Sequence, residues 1–307
     1  MNKITTSGKY ASDLAPGILD ERKLPDASFD RVWDSIILDK ELKDRLLCQA
    51  ILNFTIRKNV GREVIPMHGV ILLVGQPGTG KSSLARGLAS QVAKHLSSGP
   101  TFLEVEPHGL TSSAMGKTQR AVTELLGSTI SEYAEQGPVI VLLDEVETLA
   151  TDRKKLSMDA NPIDVHRATD AVLAQLDHLA DRYDNLLFIA TSNFEGAVDE
   201  AFISRSDLVL QIPMPNADAR KSILEDTITG LARKYPSVKQ ILHDPDFARL
   251  VVATDGIDGR QLRKLVATAC SFRRETAVDP SKLTAADILR AAKLDRDGGL
   301  AAKGKGA

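Results

Sequence analysis

The 307-residue sequence has few of the residues that mark secreted, fibrous or strongly basic proteins. It contains two cysteines and one tryptophan, its aromatic fraction is 4%, and its formal net charge is −2. A disulfide scaffold needs many more cysteines, and a protein that holds nucleic acid or an anionic membrane by bulk charge needs an excess of lysine and arginine. We therefore expect neither direct nucleic-acid binding nor membrane association.

Long apolar runs are also missing. The longest, such as Val70–Val74 and Val139–Leu143, have five residues, whereas a membrane-spanning helix needs about 20. The first residues, MNKITTSGKYASDLAPG, contain no apolar segment of the kind found in secretory signals. Cys48 and Cys270 lie in apolar, helix-like patterns without a Cys or His at metal spacing, which predicts buried, reduced thiols. These features favour a cytoplasmic protein.

The order of apolar segments predicts an α/β domain followed by a smaller all-α domain. Residues 1–24 are polar and predict a flexible arm. Over residues 25–213, short apolar runs alternate with helical patterns, which is typical of a parallel sheet covered on both faces. Residues 214–295 show only amphipathic helical patterns, and residues 296–307 predict a disordered tail.

The apolar runs that predict strands are VILLV, TFLEV, VIVLL, LLFIAT and LVLQI. Trp33, in FDRVWDSII, is expected to anchor the core. A helix is predicted to start at Lys81, and the other predicted helices cover Thr118–Tyr133, Ala168–Arg182, Ala217–Lys234, Asp246–Val252, Arg260–Arg274 and Thr284–Leu294.

The most specific motif is GQPGTGKS, which follows the run VILLV and precedes a predicted helix. It has the pattern G-x-x-x-x-G-K-[ST] of a phosphate-binding loop, in the strand, loop and helix context that the pattern requires. In such a loop the backbone N–H groups surround phosphate oxygens, Lys81 contacts the β- and γ-phosphates, and the Ser82 hydroxyl coordinates Mg²⁺. A plain glycine-rich turn is the alternative. The expected nucleotide-binding residues are Gly75, Pro77, Gly78, Thr79, Gly80, Lys81, Ser82 and Ser83.

Two acids follow the apolar run VIVLL directly. In α/β sheets the carboxyl ends of the strands present ligands, so Asp144 is expected to hold Mg²⁺, mainly through water. Glu145 is expected to polarise the water that attacks the γ-phosphate. Solvated turn acids are the alternative, but charges at the end of a buried strand need a partner.

Two further polar residues lie where they could act on the same phosphate. Asn193 ends the run LLFIATSN and could share the attacking water with Glu145, although an asparagine at a strand end is commonly a turn residue. Arg205, in AFISRSD, is either a surface charge or an arginine finger that enters a neighbouring subunit's site. The choice depends on whether the protein forms a ring.

Taken together, five segments carry a family resemblance. GQPGTGKS, LLDEVETL, ATSN, DEAFISRSD and GIDGRQLRKL resemble, in order and spacing, the two Walker motifs, sensor 1, arginine finger and sensor 2 of an AAA+ ATPase. LPDASFDRVWDSIILDKELKDRLL, Glu147 in the form DEVE, and NPIDVHRATDAVLAQLDHL are similar to the pachytene checkpoint protein 2 family, also called thyroid receptor interacting protein thirteen. Its members remodel HORMA-domain proteins. The resemblance spans about Leu24 to Leu294.

The resemblance implies a Rossmann-like α/β large domain with a P-loop, followed by a helical lid, with ATP and Mg²⁺ as cofactors. It implies that Asp144 and Glu145 are the Walker B pair, that Asn193 is sensor 1 and that Arg205 is an arginine finger acting in trans. The implied sensor 2 is Arg260, which follows the nucleotide-binding Gly259 and couples the lid to the nucleotide. The implied adenine contacts are Ile36 and Ile37, for which plain core packing is an equal alternative.

The sequence departs from the family in two respects. The family's pore loop usually presents an aromatic residue, whereas residues 109–117 offer Ala114 and Met115, of which Met115 is apolar and flexible enough to grip a peptide. The eukaryotic relatives carry a recruiting domain before the Leu-Pro motif, and here about two dozen residues precede it, which puts adaptor-mediated recruitment in doubt.

A second pore loop is also expected. The segment Thr151–Arg167 is expected to form this loop or a solvated charge run.

These features predict an ATP-dependent protein remodeller. We expect a cytoplasmic homohexameric ring that opens or disassembles HORMA-domain protein complexes, as a negative regulator of a bacterial HORMA and second-messenger anti-phage signalling system. One alternative is an AAA+ ATPase acting on nucleic-acid or cytoskeletal complexes, but the sequence shows neither a basic stripe nor an added binding module. Another is a nucleotide-switch scaffold without hydrolysis, which the presence of Glu145 and Arg205 disfavours.

Overall fold

The computed structural model describes residues 14–106, 117–151 and 162–296. They divide into two compact units. The first contains the described residues up to Gln76 together with Lys81–Ile212, and the second contains Pro77–Gly80 and the described residues from Pro213 onward. None of the described helices is long and apolar enough to cross a membrane.

Six strands of the first unit form one sheet in the order β1-β3-β4-β5-β2-β6. Every neighbouring pair is parallel except β1 and β3, which are antiparallel. Each parallel connection returns over a face of the sheet, so the carboxyl ends of five strands lie at one edge. The strands are β1 (Ile18–Lys23), β2 (Val70–Val74), β3 (Thr101–Val105), β4 (Val139–Leu143), β5 (Leu186–Ser192) and β6 (Leu208–Gln211).

The central strands β2, β3, β4 and β5 are buried along their whole length. Successive side chains of a strand point to opposite faces. Accordingly, Val70, Leu72 and Val74 join one apolar cluster, whereas Ile71 and Leu73 join another on the opposite face. The prediction of a sheet covered on both faces is therefore confirmed.

The edge strand β1 corrects the sequence-based prediction, which assigned residues 18–23 to a flexible arm. ILDERK carries mostly charged side chains, so it lacks the apolar run of the central strands. An edge strand tolerates this because one of its sides faces solvent. Its apolar residue Ile18 and the following Leu24 are buried, and Lys23 Nζ donates to Thr101 Oγ1 of β3 at 2.7 Å.

The helices of the first unit cover the two faces of this sheet. The predicted helix at residues 118–133 is broken into α4, a π-helical turn at Leu125–Ile130 and α5, and the predicted helix at residues 168–182 begins earlier, at Pro162. The helices are α1 (Ala27–Ser35), α2 (Lys40–Asn59), α3 (Lys81–Ala93), α4 (Lys117–Glu124), α5 (Ser131–Gln136), α6 (Pro162–Arg182) and α7 (Glu200–Ser204).

The described residues of the second unit from Pro213 onward contain helices and turns without a strand, as the sequence predicts. Side chains at the helix starts accept backbone hydrogen bonds: Asn216 from the Ala219 N–H, and Asp258 from the Gln261 N–H. The helices are α8 (Ala217–Ala232), α9 (Asp246–Ala253), α10 (Gly259–Cys270), α11 (Arg274–Val278) and α12 (Ala285–Arg296).

The cysteines are free thiols, but the prediction that both are buried is wrong. Cys48 is exposed and Cys270 is half-buried, and burial raises the pKa of the Cys270 thiol. On α2 the buried residues Leu46, Ala50 and Phe54 follow each other at four-residue spacing. Cys48 is two residues from this stripe and therefore lies on the opposite side of the helix.

Trp33 packs, half-buried, against the apolar cluster that contains Ile71, as predicted for a core residue. Trp33 lies close to Gly87 on α3, where an added Cβ would be 2.8 Å from Trp33 Cβ. The contact between α1 and α3 therefore requires glycine at this position.

We expect Gly87→Ala to lower the free energy of unfolding by about 1–3 kcal/mol, because the added methyl group overpacks the Trp33 contact. The matched control is Gly230→Ala in α8, where an added Cβ meets nothing within 4 Å. That substitution should instead raise stability by about 0.5–1 kcal/mol, since alanine favours the helix. Urea titrations followed by circular dichroism measure both changes. Equal effects of the two substitutions would contradict the packing argument.

Candidate functional site

The P-loop connects β2 to α3 and turns sharply at two glycines. Gly78 and Gly80 have φ values of 83° and 91°, in the left-handed region that favours glycine. The loop begins beside β5, where the Gly75 N–H donates to the Ser192 carbonyl at 3.2 Å. Helix α3 starts at Lys81, directly after the loop. The predicted residues Gly75, Pro77 and Thr79 therefore lie in the loop, and Ser82 and Ser83 are the second and third residues of the helix.

Lys81 is buried, with 6% of its surface exposed. Its ammonium group donates to the carbonyls of Gly75 and Gln76, at 2.8 and 3.0 Å, and to Asn193 Oδ1 at 3.0 Å. A buried charge is stable only when its hydrogen-bonding groups are satisfied. The oxygens around the ammonium group therefore fix its position at the end of β5.

Asp144 directly follows β4 and faces the start of α3. Its Oδ1 atom accepts hydrogen bonds from Ser82 Oγ at 2.6 Å and from Thr191 Oγ1 at 2.5 Å. A hydroxyl beside a carboxylate fits Mg²⁺, which usually takes one or two protein carboxylates together with substrate phosphates and water. The described part of the chain holds no group of three or more His, Cys, Asp or Glu residues suited to a metal ion.

Asn193 joins the predicted base to the buried lysine. Its Nδ2 atom lies 3.5 Å from Glu145 Oε1, while its Oδ1 atom accepts from Lys81. Its backbone N–H donates to Glu147 Oε1 at 3.1 Å. The structure thus brings Lys81, Glu145 and Asn193 together, as the sequence predicts, and shows that Glu147 orients the asparagine.

Thr191 is the site residue that sequence reasoning did not single out. It lies in β5, two residues before Asn193, and its hydroxyl contacts both Asp144 and the Glu145 N–H. In the sequence, the motif ATSN indicates a role for its asparagine only. A hydroxyl residue at the carboxyl end of a buried strand is the signal that could have identified it, since a buried hydroxyl needs partners.

In the second unit, the P-loop residue Gly78 contacts the start of α10. Its carbonyl accepts a hydrogen bond from the Arg260 N–H at 3.3 Å, and a Cβ at Gly78 would lie 2.2 Å from Asp258 Oδ1. Gly259 is the first residue of α10, and the Arg260 side chain is exposed. The backbone of the predicted sensor 2 residue is therefore hydrogen-bonded to the P-loop residue Gly78. The Arg260 side chain itself is exposed.

The predicted adenine contacts lie at the end of α1. Ile36 is the C-cap residue of this helix and packs, half-buried, against the apolar cluster that contains Ile71. Ile37 is also half-buried. The packing alternative therefore has direct support for Ile36.

Arg205 lies at the end of α7 and is bound by an acid of its own chain. Its guanidinium donates to both carboxylate oxygens of Asp177, at 2.8 and 2.7 Å, and to the Ala201 carbonyl at 2.9 Å. This pairing lowers the pKa of Asp177 and raises that of Arg205. Arg205 thus contacts Asp177 on α6 rather than the residues around Lys81.

The Arg205 pair continues into a wider charge network. Asp177 Oδ1 lies 3.2 Å from His68 Nε2, and Arg62 NH2 lies 2.8 Å from the same nitrogen. Burial and, second, the charge of Arg62 lower the pKa of the His68 imidazole, which favours its neutral form. Arg62 also pairs with Asp181. The finger candidate is therefore anchored to a network rather than to a single side chain.

Several predicted residues cannot be placed in this site. The pore-loop residues Ala114 and Met115 lie outside the described residues, as do Arg153, Lys154 and Lys155 of the predicted second loop.

The fold contains a P-loop, two strand-end acids and a polar sensor residue. The same class of protein is indicated by a comparison of the sequence with known families. Residues 71–214 match the ATPase family associated with various cellular activities (AAA). The chain belongs to this family of ATPases, and within it to the group of pachytene checkpoint protein 2, so the resemblance seen in the sequence is confirmed.

Individual relatives cover most of the chain. It is 56% identical to CD-NTase-associated protein 6 of Pseudomonas aeruginosa, over 92% of this chain and 93% of the relative. It is 36% identical to a putative pachytene checkpoint protein 2 of Caenorhabditis elegans, over 69% of this chain and 51% of that protein, so it spans about half of that relative. A chain in the structure of the E. coli MS115-1 HORMA:CdnC:Trip13 complex has the same fold, with a TM-score of 0.71, 19% identity, and coverage of 90% and 94%.

We expect Lys81→Ala to weaken the binding of a non-hydrolysable ATP analogue by about 10- to 100-fold, because a charged hydrogen-bond donor to phosphate is lost. Lys94→Ala, just beyond the end of α3, is the matched control, since the Lys94 side chain is 41% exposed and its ammonium group pairs with Asp30 at 2.9 Å. That variant should bind the analogue with unchanged affinity. Isothermal titration calorimetry measures both, and full affinity in Lys81→Ala would refute the site.

Proposed function

We propose that this chain hydrolyses ATP to ADP and phosphate, and that a homohexameric ring of it uses this reaction to open or disassemble complexes of a HORMA-domain protein. The observation that carries the proposal is the connected set of Lys81, Asn193 and Glu145, which places a cation, an amide and a carboxylate side by side. Hydrolysis of a γ-phosphate uses a cation on the phosphate oxygens and a residue that orients the attacking water, and these three side chains supply both.

Each group has a distinct part in the reaction. The Lys81 ammonium group binds the β- and γ-phosphate oxygens and offsets the negative charge that develops during transfer. The Glu145 carboxylate orients a water molecule and accepts its proton, and Asn193 holds that water in line with the phosphate. Ser82 and Asp144 would hold Mg²⁺, which neutralises phosphate charge when bound.

The arginine finger is proposed to act between subunits. The Arg205 guanidinium is held on α6 by Asp177 and does not join the residues around Lys81 of its own chain. In a ring, the finger of one subunit would complete its neighbour's site, which couples hydrolysis to contact between subunits. Arg260 is proposed as sensor 2, and its backbone N–H donates to the Gly78 carbonyl at 3.3 Å.

The names of two similar proteins support a HORMA-domain protein as the client. The E. coli complex contains a protein named Trip13 together with a HORMA protein and CdnC, and the relative with 56% identity is named for its association with a CD-NTase. We infer that this chain acts on a HORMA-domain protein that regulates such a nucleotidyltransferase, and that remodelling switches the signal off. Ala114 or Met115 is proposed to grip the client in the pore.

We expect Glu145→Gln, loaded with ATP, to retain its client, because the nucleotide binds but the water is not activated. The protein is immobilised, exposed to a bacterial lysate, washed, and the retained proteins are identified by mass spectrometry. A HORMA-domain protein should be retained, and its retention should disappear in the Glu145→Gln, Lys81→Ala double variant. Retention of DNA-processing factors, or of nothing that depends on nucleotide, would overturn the assigned client.

The trans action of Arg205 is tested by mixing two inactive variants. Lys81→Ala keeps the finger but binds nucleotide weakly and lacks the cation that contacts the γ-phosphate. Arg205→Ala keeps nucleotide but loses the finger, with an expected loss of about 10³-fold or more in ATPase rate. In an equal random mixture about a quarter of the interfaces combine an intact site with an intact finger, so activity should return. A mixture as inactive as its components would show that Arg205 does not act in trans.

A further inference from the structure

One hydroxyl lies between the two acids that follow β4. Thr191 is buried, with 1% of its surface exposed. Its Oγ1 atom donates to Asp144 Oδ1 at 2.5 Å and accepts from the Glu145 N–H at 3.1 Å. Because a hydroxyl has one proton and two lone pairs, it can make both bonds at once.

The sheet register produces this contact. The last paired residues of β4 and β5 are Leu143 and Ala190, so the next residues along each strand are Asp144 and Thr191. Parallel strands place such positions side by side at the carboxyl edge. The Thr191 hydroxyl therefore meets Asp144 as a consequence of strand pairing, at the edge where the P-loop begins.

The hydroxyl also supports an unusual backbone conformation. Glu145 has a φ of 53°, and among the described residues it is the one non-glycine residue with a positive φ. Left-handed conformations of such residues persist when surrounding contacts hold them. Here the Glu145 N–H is bound by Thr191 and its carbonyl accepts from the Thr148 N–H at 3.0 Å. These two bonds fix the direction in which the Glu145 side chain leaves the backbone.

We propose that Thr191 is a positioning residue for ATP hydrolysis, whose single hydroxyl sets the Asp144 carboxylate for Mg²⁺ and the Glu145 carboxylate for the attacking water. This inference rests on the proposed function of the site. Asp144 Oδ1 receives the hydroxyls of both Thr191 and Ser82, which orients the carboxylate towards the start of α3. Loss of the Thr191 hydroxyl would leave the Asp144 carboxylate held by Ser82 alone and would remove the hydrogen bond from the Glu145 N–H.

Thr191→Val tests the proposal, because valine keeps the shape of threonine and removes both hydrogen bonds. We expect kcat for ATP hydrolysis to fall about 10- to 100-fold, as small displacements of catalytic groups do. The affinity for a non-hydrolysable ATP analogue in EDTA should stay within about twofold, because Lys81 and the P-loop are unchanged. The gain in that affinity on adding Mg²⁺ should shrink, since Asp144 is no longer oriented.

Two further variants separate positioning from packing. Thr191→Ser retains the hydroxyl and should recover most of the kcat and of the Mg²⁺-dependent gain in affinity. Thr169→Val is the matched control, because Thr169 is fully buried in the same unit and its hydroxyl donates to the Leu149 carbonyl at 3.3 Å. It should leave both quantities unchanged. If Thr191→Val fails to fold by circular dichroism, Thr191→Cys, with its weaker donor, should still lower kcat.

The outcomes distinguish this inference from the function on which it rests. If the wild-type protein hydrolyses no ATP, the proposed function is wrong, whatever the variants do. If the wild type is active and Thr191→Val, or Thr191→Cys in its place, matches it in kcat and in the Mg²⁺-dependent gain, the role of Thr191 is wrong. A loss that Thr191→Ser does not recover would likewise reduce Thr191 to a packing residue.

Discussion

Burial of the central strands on both faces is the constraint on which the site depends. Because β2, β3, β4 and β5 are covered along their whole length, polar side chains can be accommodated mainly where these strands end. Parallel pairing brings those ends to one edge. The acids after β4, the polar end of β5 and the P-loop after β2 therefore meet at this edge. Strand pairing alone brings them together.

Within this edge, uncharged hydrogen-bonding groups contact two of the charged side chains. The Lys81 ammonium group is bound by two carbonyls and by Asn193, and Asp144 receives two hydroxyls. Asn193 and Thr191 thus help to fix the positions of these charges.

Arg205 is organised in the opposite way. Its guanidinium forms a bidentate pair with Asp177, which in turn contacts His68. A rigid, charge-paired arginine is preorganised, since little side-chain freedom remains to be lost when it meets an anion. The cluster around Lys81 and the Arg205 network are separate arrangements within one chain, in keeping with the proposal that a complete site needs two subunits.

The sequence by itself determined the α/β fold class, and it predicted the P-loop, Asp144, Glu145 and Asn193 as site residues, because glycine spacing and acids after apolar runs are local signals. It misassigned β1, whose charged residues are tolerated at an edge that only strand pairing defines, and the burial of Cys48, which depends on the face that α2 turns to the core. Thr191 and the Asp177 partner of Arg205 were decided by tertiary structure alone. Their contacts join residues 28 to 47 positions apart, and such distances carry no periodic pattern in the sequence.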